Sequence, residues 1–363
     1  MAANQLDEVN LSTVAVGGQI HEDVMDAIYD VSPVDRPFCD MIGSEDSDNH
    51  LKEWVREELE AATPDNARID GSSSAGINDT VTGERVGNYH QIMTKTVRVS
   101  DRGRNSDTIG SSDELVRQLM KRQKALRRDE EASLVSTNAA VAGDGTAAAS
   151  KLAGIGSWIG TGQTATNTDR GATTGADPIL SGNPGGVPTT ASVAGDKRAL
   201  SETTIKTMMR EAYLAGGNPT VAMSTPSVIE VLSDYLFTSS ARVATLQSDA
   251  AQGNRTDNGT GGGRSGGGVV AQGSVNILVT NFGTLELVPN RFQADSSTGA
   301  ADLYLLDPEL WERSYLQGYE TKELARDGLG ENREISVDVT LCSLNEEGNA
   351  VVADIDYTLA GVA

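Results

Sequence analysis

The segment from Asn88 to Leu134 constrains the fold more than any other part of the chain. Alternation of side chains predicts a strand over His90–Ser100. One side of this strand would carry Met93, Lys95, Val97 and Val99, and the other Thr94, Thr96 and Arg98. A turn rich in Gly, Asp and Asn follows and leads directly into a long helix. No pocket-forming loop separates the strand from the helix, which is an unusual order for an enzyme.

The long helix is predicted to begin at Ser111 or Ser112. Ser111 and Glu114 match a capping box, in which two side chains satisfy amide groups at the helix start. Roughly 25 residues at about 1.5 Å each give a rod of about 40 Å. The apolar residues that fall near one face are Leu115, Leu119, Leu126 and Leu134.

The remaining surface of this helix holds most of the concentrated positive charge. The basic residues are Arg117, Lys121, Arg122, Lys124, Arg127 and Arg128. One interpretation is a solvated face supported by i,i+4 pairs with Glu130 and Glu131. The other is a contact with acidic neighbouring subunits.

The charge balance argues against a protein that grips nucleic acid. The chain has 29 basic and 52 acidic residues and a net charge of -23, so the chain as a whole does not neutralise the phosphates of a nucleic acid. An acidic surface suits a container that must not bind the molecule it encloses. It equally suits a protein kept soluble by self-repulsion. With 38% hydrophobic and 4% aromatic residues, several thin cores with extended segments fit better than one thick globule.

The cysteines and the N-terminus indicate neither a disulfide framework nor export. Cys39 and Cys342 are far apart, outside any metal-ligand spacing, and are expected to be buried reduced thiols. Residues Met1–Val16 lack a basic region followed by an apolar core, and no window approaches 18 apolar residues. Neither secretion nor a membrane span is therefore expected.

Residues 1–50 are predicted to be an extended arm with a short helix near Glu22–Tyr29. The Ser32-Pro33 and Arg36-Pro37 steps oppose a continuous helix. Leu51–Ala61 fits either strand or helix; as a strand it would be the antiparallel partner of His90–Ser100. Roughly 30 residues rich in Ser, Gly, Asn, Asp and Thr separate the two.

Beyond the long helix the pattern is αβα followed by strands, a mixed α+β protein. Ala142–Gly195 is predicted to be a surface insertion lightly anchored by Trp158, and Ser239–Gly268 a flexible loop. Ser201–Ala215 is predicted to be a helix stopped by Gly216-Gly217. The other predicted elements are a strand at Thr220–Met223, a helix opened by Thr225-Pro226, a hairpin of Val275–Thr280 with Thr284–Val288, and strands at Leu303–Leu306, Ile335–Leu341 and Val351–Tyr357.

Two glycine motifs fail as catalytic or nucleotide sites. Gly263–Gly267 fits G-x-S-x-G, but all three histidines precede it, whereas a nucleophile elbow needs its histidine later in the chain. Gly143–Ala148 fits G-x-G-x-x-A, but it follows a helix instead of a strand, so it is interpreted as a helix stop. No phosphate-cradling P-loop motif is present.

The remaining polar candidates are weaker still. Asp46, Asp48 and Asn49 faintly match a calcium loop but lack its glycine. His90 is expected to be packed or hydrogen-bonded instead of a general base, and Cys39 to be core. The sequence therefore predicts no catalytic residue, no cofactor-binding residue and no metal ligand.

The order of these segments resembles the Hong Kong 97-type major capsid proteins of tailed phages. No single segment is specific, but their order is. The segments that carry the resemblance are Ser32-Pro33 with Pro37-Phe38 and Met41–Gly43, Asn88–Ser100, Asp113–Glu131, Gly217–Met223, Thr280–Arg291 and Leu303–Pro308.

The resemblance implies a division of the chain into five parts. These are an N-terminal arm at 1–50, an extended β-hairpin loop at 51–100, a peripheral domain at 101–200 with a spine helix at 111–138 and the Gly/Thr-rich insertion, an axial domain at 201–290, and terminal strands of the peripheral domain at 291–363.

The resemblance also implies a structural role with no enzymatic activity, no cofactor and no membrane partner. The subunits would form pentamers and hexamers of an icosahedral head shell around double-stranded DNA, enclosed without specific binding. This shell is the virion capsid, assembled in the host cytoplasm, with a portal protein and possible separate scaffold or decoration proteins. Lys52 and Lys95 lie in the extended loop, but no intersubunit crosslink is assigned to them.

Two other functions remain open at this stage. One is an encapsulin-like cellular shell that stores an enzyme, and the other is an acidic hydrolase with an unrecognised site, whose best feature would be the loop after Ser239. Within the shell interpretation, removal of about residues 61–89 is expected to leave a folded subunit that cannot close shells.

Overall fold

The computed structural model describes residues 25, 28–57, 59–60, 62–73, 83–106, 108–110, 113–161, 167–170, 175–181, 186–238, 277–295, 299–326 and 328–358. Several predictions fall outside this part of the chain. They are the capping residue Ser111, the loop at 239–268, and most of the arm with its short helix near Glu22–Tyr29.

The described residues form six α-helices, one short 3₁₀ helix and fourteen strands. The helices are α1 (Pro37–Met41), α2 (Asp101–Arg104), α3 (Glu114–Leu134), α4 (Ile155–Trp158), α5 (Glu202–Leu214) and α6 (Pro226–Thr238), and the 3₁₀ helix is Pro308–Leu310. The strands are β1 (Gly43–Asp46), β2 (Leu51–Arg56), β3 (Glu84–Tyr89), β4 (Gln91–Ser100), β5 (Thr168–Asp169), β6 (Ile179–Ser181), β7 (Val187–Thr190), β8 (Val221–Ser224), β9 (Ile277–Thr280), β10 (Gly283–Pro289), β11 (Ala301–Leu306), β12 (Trp311–Leu324), β13 (Gly330–Ser343) and β14 (Ala350–Ile355).

The chain divides into two compact units. The smaller unit comprises 1–34, 95–124 and 322–335, and the larger comprises 35–94, 125–321 and 336–363. Within the described residues, no helix is both long and apolar enough to cross a membrane.

A six-stranded sheet forms the main core of the larger unit, in the order β5-β14-β11-β8-β10-β9. Neighbours β8 and β10, like β14 and β5, run parallel, and the other neighbours run antiparallel. Helix α5 packs its buried face on this sheet through Ile205, Met208, Met209 and Ala212. The predicted helix at 201–215 is confirmed, and Ser201 caps it by accepting a hydrogen bond from the Thr203 amide.

The second large sheet has the order β1-β12-β13-β4. Its strands β12 and β13 are 14 residues each. Residues Met93 and Val97 of β4 are buried while their neighbours Thr94, Thr96 and Arg98 are exposed, so the predicted alternation of this strand is confirmed. Strand β12 (Trp311–Leu324) was not predicted, because its charged residues interrupt any alternation.

The predicted strand partner of His90–Ser100 is wrong. Strand β2 pairs with β3, in a register from Leu51 opposite Tyr89 to Arg56 opposite Glu84. Strand β4 instead joins the sheet of β12 and β13. The buried His90 separates β3 from β4, and a pattern of alternation does not tell which of two consecutive strands turns back on β2.

The long helix is shorter than predicted. It spans Glu114–Leu134, 21 residues or about 30 Å. At its start, Asp113 accepts a hydrogen bond from the Leu115 amide at 3.0 Å, in the manner of an N-cap residue. At its end, the Ser136 hydroxyl donates to the Ser133 carbonyl at 2.7 Å, and this competes with further helical turns.

Residues 142–195 are not a lightly anchored surface insertion. Leu152, Ile155, Trp158 and Ile159 are all at most 1% exposed. The segment also contributes β5 to the six-stranded sheet. The hydrophobic residues are few and widely spaced in the sequence, but the four between 152 and 159 are buried in the core, whereas Ile179 and Val193 are exposed.

The predicted terminal strands do not stay together in one sheet. Strands β11 and β14 lie in the six-stranded sheet, with β11 next to β8, whereas β12 and β13 lie in the other sheet. The predicted strand at 220–223, the helix opened by Pro226 and the hairpin that is formed by β9 and β10 are confirmed.

Candidate assembly surface

The β2–β3 hairpin is anchored to the core at its base. The indole Nε1 of Trp54 donates to the Ser343 carbonyl at 2.9 Å, and the Trp54 ring lies 5.4 Å from the Trp158 ring, measured between centroids. The Gly87 amide donates to the Gly186 carbonyl at 3.0 Å. These contacts attach one end of a two-stranded ribbon to a rigid support.

Asn88 links the hairpin to two other segments through three side-chain hydrogen bonds. Its side chain is completely buried; the Nδ2 donates to the carbonyls of Leu341 at 2.8 Å and Ala153 at 3.1 Å. The Oδ1 accepts from the Ala153 amide at 2.9 Å. The buried amide is therefore well satisfied, and it fixes the position of β3 against two other segments.

The described residues that follow Arg56, up to residue 73, are exposed, unlike the anchored base. We call the described residues 57, 59, 60 and 62–73 the distal limb; all of them are exposed. Leu59 is 97% exposed and Ile69 is 84% exposed. Two-stranded hairpins are marginally stable alone, so contact with another molecule would stabilise this exposed limb. The distal limb is thus the clearest candidate contact surface of the larger unit.

The basic side chains of α3 have several different partners. Arg117 pairs with Glu114, and Lys124 Nζ lies 3.2 Å from Asp30 Oδ2. Arg127 and Arg128 lie over aromatic rings, with guanidinium carbons 5.5 Å from the Tyr319 centroid and 5.3 Å from the Phe292 centroid. Lys121 and Arg122 are exposed.

The predicted i,i+4 pairs with Glu130 and Glu131 are wrong, because both carboxylates are completely buried. Glu131 accepts from the backbone amides of Phe38 and Cys39, each at 2.9 Å, and from Asn290 Nδ2 at 2.7 Å. One carboxylate therefore binds the start of α1 and fixes it to the long helix. A sequence run of Asp-Glu-Glu after basic residues favours surface pairing, and only the tertiary fold reveals the buried role.

Glu130 attaches β12 to the long helix in a similar way. It accepts hydrogen bonds from the hydroxyls of Tyr315, at 2.5 Å, and Tyr319, and its Oε2 lies 3.5 Å from Arg36 Nη1. Burial, together with Glu130, raises the pKa of both tyrosines, so they remain proton donors at neutral pH. Adjacent helix residues thus attach two different segments to α3.

His90 is buried and hydrogen-bonded, as predicted. Its Nε2 lies 3.0 Å from Ser47 Oγ, and its Nδ1 lies 3.8 Å from Asp338 Oδ1, too far for a hydrogen bond. Burial, reinforced by Lys52 and His50, lowers the pKa of His90 to about 4, and burial raises the pKa of Asp338. The imidazole is therefore neutral at physiological pH.

The other residues singled out in the sequence also have structural explanations. Cys39 and Cys342 are buried and unpaired, and burial raises the pKa of the Cys342 thiol to about 12. The Gly143–Ala148 motif is not the helix stop, since α3 ends at Leu134; Asp144 there accepts from three successive amides and its pKa falls to about 2. The described residues contain no group of three or more His, Cys, Asp or Glu side chains that could hold a metal ion, and the Gly263–Gly267 motif lies outside them.

Comparison with known proteins identifies the family. A model of the SU10 major capsid protein family matches residues 4–356, nearly the whole chain. The chain belongs to this family. The major capsid protein of Escherichia phage Phieco32 is 34% identical over 111 residues, which make up 30% of this chain. The matched region covers only 31% of that curated relative.

Solved structures agree on the fold at low sequence identity. The Cyanophage A-1(L) capsid asymmetric unit has a TM-score of 0.57 at 14% identity, covering 95% of this chain and 99% of that one. The capsid of a native GTA particle has a TM-score of 0.55 at 11% identity, with 94% and 98% covered. The SrpI encapsulin of Synechococcus elongatus PCC 7942 has a TM-score of 0.50 at 8% identity, with 95% of each chain covered. The fold is thus the predicted α+β Hong Kong 97-type capsid fold.

Proposed function

We propose that this capsid-family subunit self-assembles into the pentamers and hexamers of an icosahedral head shell. The observation that carries the proposal is the hairpin, with a base anchored by Asn88 and Trp54 and a distal limb that is exposed throughout. A limb on one surface and its receptor on a different surface make a head-to-tail contact, and such contacts close into rings.

We assign the domain roles of a capsid subunit to the hairpin, the long helix and the two sheets. The hairpin is the extended loop, α3 is the spine helix of the peripheral domain, and the 201–290 segment is the axial domain. In the six-stranded sheet, β11 and β14 join β8, β9 and β10 of the 201–290 segment. We therefore assign β11 and β14 to the axial domain and β12 and β13 to the peripheral domain.

The proposed shell encloses double-stranded DNA without binding it specifically, in a virion capsid assembled in the host cytoplasm. A net charge of -23 supports this, since phosphate binding needs basic surfaces. A portal protein and a separate scaffold or decoration protein are proposed partners. The role is structural, and we assign no catalytic step to any residue.

A second candidate is an encapsulin-like shell, favoured by the likeness to the SrpI encapsulin. Its cargo would be a protein, whereas the capsid would hold DNA. Nuclease-protected DNA in particles purified from the native source supports the capsid, and protein cargo without DNA supports the alternative.

Sedimentation velocity tests the assembly proposal. We expect the purified full chain to form fast-sedimenting rings or shells as its concentration rises or when a crowding polymer is added. A chain that sediments as a monomer under every condition contradicts the proposal.

A further inference from the structure

A polar cavity lies between β4 and the N-terminal half of α3. Its volume is about 280 Å³. One wall is formed by residues 96–100 of β4, and the other by Glu114, Gln118 and Arg122 of α3. The three helix residues are spaced four apart, so they follow one stripe of the helix surface. Both walls belong to the smaller compact unit.

Two arginines line the cavity, one from each wall. Arg98 belongs to β4 and Arg122 to α3. Among the described residues of the lining, Glu114 is the only acid, so the formal charge of the lining is 2 - 1 = +1. The Glu114 carboxylate accepts from Arg117 Nε at 2.7 Å and from Gln118 Nε2 at 2.6 Å. Arg117 therefore offsets the charge of Glu114, and the cavity remains positive.

Strand β4 adds neutral hydrogen-bond donors to this wall. It is the last strand in the order β1-β12-β13-β4, so within the described residues one of its edges has no strand neighbour. Successive side chains of a strand point to opposite faces, and a cavity lined by five consecutive residues therefore runs along the edge. The edge of a sheet offers backbone N–H groups and can form a concave anion site. The hydroxyls of Thr96 and Ser100 belong to the same wall.

The size and charge of the cavity favour a small oxyanion. Drug-sized ligands occupy mostly apolar pockets of about 300–1,000 Å³, whereas one water takes about 30 Å³, so this cavity fits a small ion together with water. Guanidinium groups bind phosphate oxygens through two parallel hydrogen bonds. The helix segment 115–128 holds six basic residues and no acidic one in a chain of net charge -23. Anions are therefore attracted to this place and repelled by the chain as a whole.

We propose that this cavity binds a phosphate group between Arg98 and Arg122. The bound phosphate would join β4 to α3, and it would stabilise the folded subunit because the unfolded chain has no such site. Inorganic phosphate and the backbone of a nucleic acid present the same chemistry to the two arginines. The inference goes beyond the proposed shell function and does not depend on assembly.

Neutralisation of one arginine at a time tests the inference in the full chain. The variants are Arg98→Gln and Arg122→Gln. The matched control is Lys121→Gln, which removes an exposed charge from the same helix outside the cavity lining. Phosphorus NMR measures the Kd of inorganic phosphate, with chloride holding the ionic strength constant. Fluorescence anisotropy of a short labelled DNA duplex, measured over a range of salt, covers the second source, and circular dichroism establishes that each variant is folded.

We expect each arginine variant to weaken the binding of inorganic phosphate about tenfold or more, because each loses hydrogen bonds to a charged group. Lys121→Gln should bind within about twofold of the unmodified chain. Binding of the duplex alone also supports the inference, with nucleic acid as the source, if each arginine variant lowers the salt slope by about one and Lys121→Gln does not. The inference is overturned if the unmodified chain binds neither probe, or if the folded arginine variants bind as well as Lys121→Gln. Since none of these measurements involves assembly, the shell function would stand in either case.

Discussion

Asn88 and Ala153 exchange two hydrogen bonds: the Ala153 amide donates to Asn88 Oδ1 at 2.9 Å, and Asn88 Nδ2 donates to the Ala153 carbonyl at 3.1 Å. The side-chain amide of Asn88 thus pairs with both the amide and the carbonyl of Ala153, much as a neighbouring strand would. It connects the base of the hairpin to the segment that follows the long helix.

Asn88→Ala should therefore destabilise the subunit strongly. It leaves the Ala153 amide and the Leu341 carbonyl without this buried partner, at about 1–3 kcal/mol for each group. We expect the free energy of unfolding to fall by about 3 kcal/mol in denaturant titrations. Asn105→Ala, at an exposed asparagine, is the control; an equal and small effect of both substitutions contradicts the anchoring role.

Glu131→Gln tests the attachment of α1 to the long helix. The glutamine amide has only one acceptor oxygen for the two backbone donors, so its NH₂ group faces the second backbone N–H. Charged hydrogen bonds of this kind contribute about 1.5–3 kcal/mol each, so a loss of about 2–4 kcal/mol is expected. Hydrogen exchange should show faster exchange at Phe38 and Cys39. Unchanged exchange at these amides, matching the exposed control Glu309→Gln, is the contrary result.

His90 should make the subunit sensitive to mild acid. Its pKa of about 4 in the folded state lies below the ordinary value of 6.5, so the unfolded chain takes up the proton first. The stability that the neutral imidazole contributes is complete above about pH 6.5 and is lost as the pH falls toward 4, by about 2–3 kcal/mol. The raised pKa of Asp338 acts in the opposite sense.

Comparison of the unmodified chain with His90→Gln isolates this effect. Denaturant titrations between pH 7 and pH 4 should show a steeper loss of stability for the unmodified chain. The exposed His50→Gln should keep most of the steep slope, because burial, the main cause of the lowered pKa of His90, remains. Parallel curves for His90→Gln and the unmodified chain contradict the assignment.

The deletion that separates folding from assembly must spare β3. Removal of 61–89 would delete Asn88 and Val86, both completely buried, so we now expect that such a subunit does not fold. Replacement of 58–82 by Asn-Gly instead keeps Arg56 opposite Glu84 and closes a tight hairpin turn. This variant should melt within a few degrees of the parent but form no closed shells. A large fall in melting temperature would show that the distal limb contributes to the core.

The elements with strong local signals were predictable from the sequence. The capped helix after Ser201, the helix opened by Pro226 and the alternating strand β4 follow from side-chain spacing and terminal residues alone. The order of segments also indicated the capsid family, since order survives where individual motifs are weak.

The rest depended on tertiary contacts that leave no local pattern. Glu130 and Glu131 look like surface charges, and only the approach of Phe38, Cys39 and Tyr315 makes them buried acceptors. Trp158 stands in a Gly-rich segment that looks like an insertion, yet it packs on Trp54. The pairing of β2 with β3 likewise depends on long-range register, which alternation does not specify.

Electron microscopy of the purified full-length chain tests the shell account most directly. Grids should be prepared across a range of protein concentration and salt, with and without a crowding polymer. We predict closed particles of uniform size, whose walls resolve into five- and six-membered rings of this subunit. Fields that contain only monomers under every condition, from a chain shown to be folded by circular dichroism, would contradict the account.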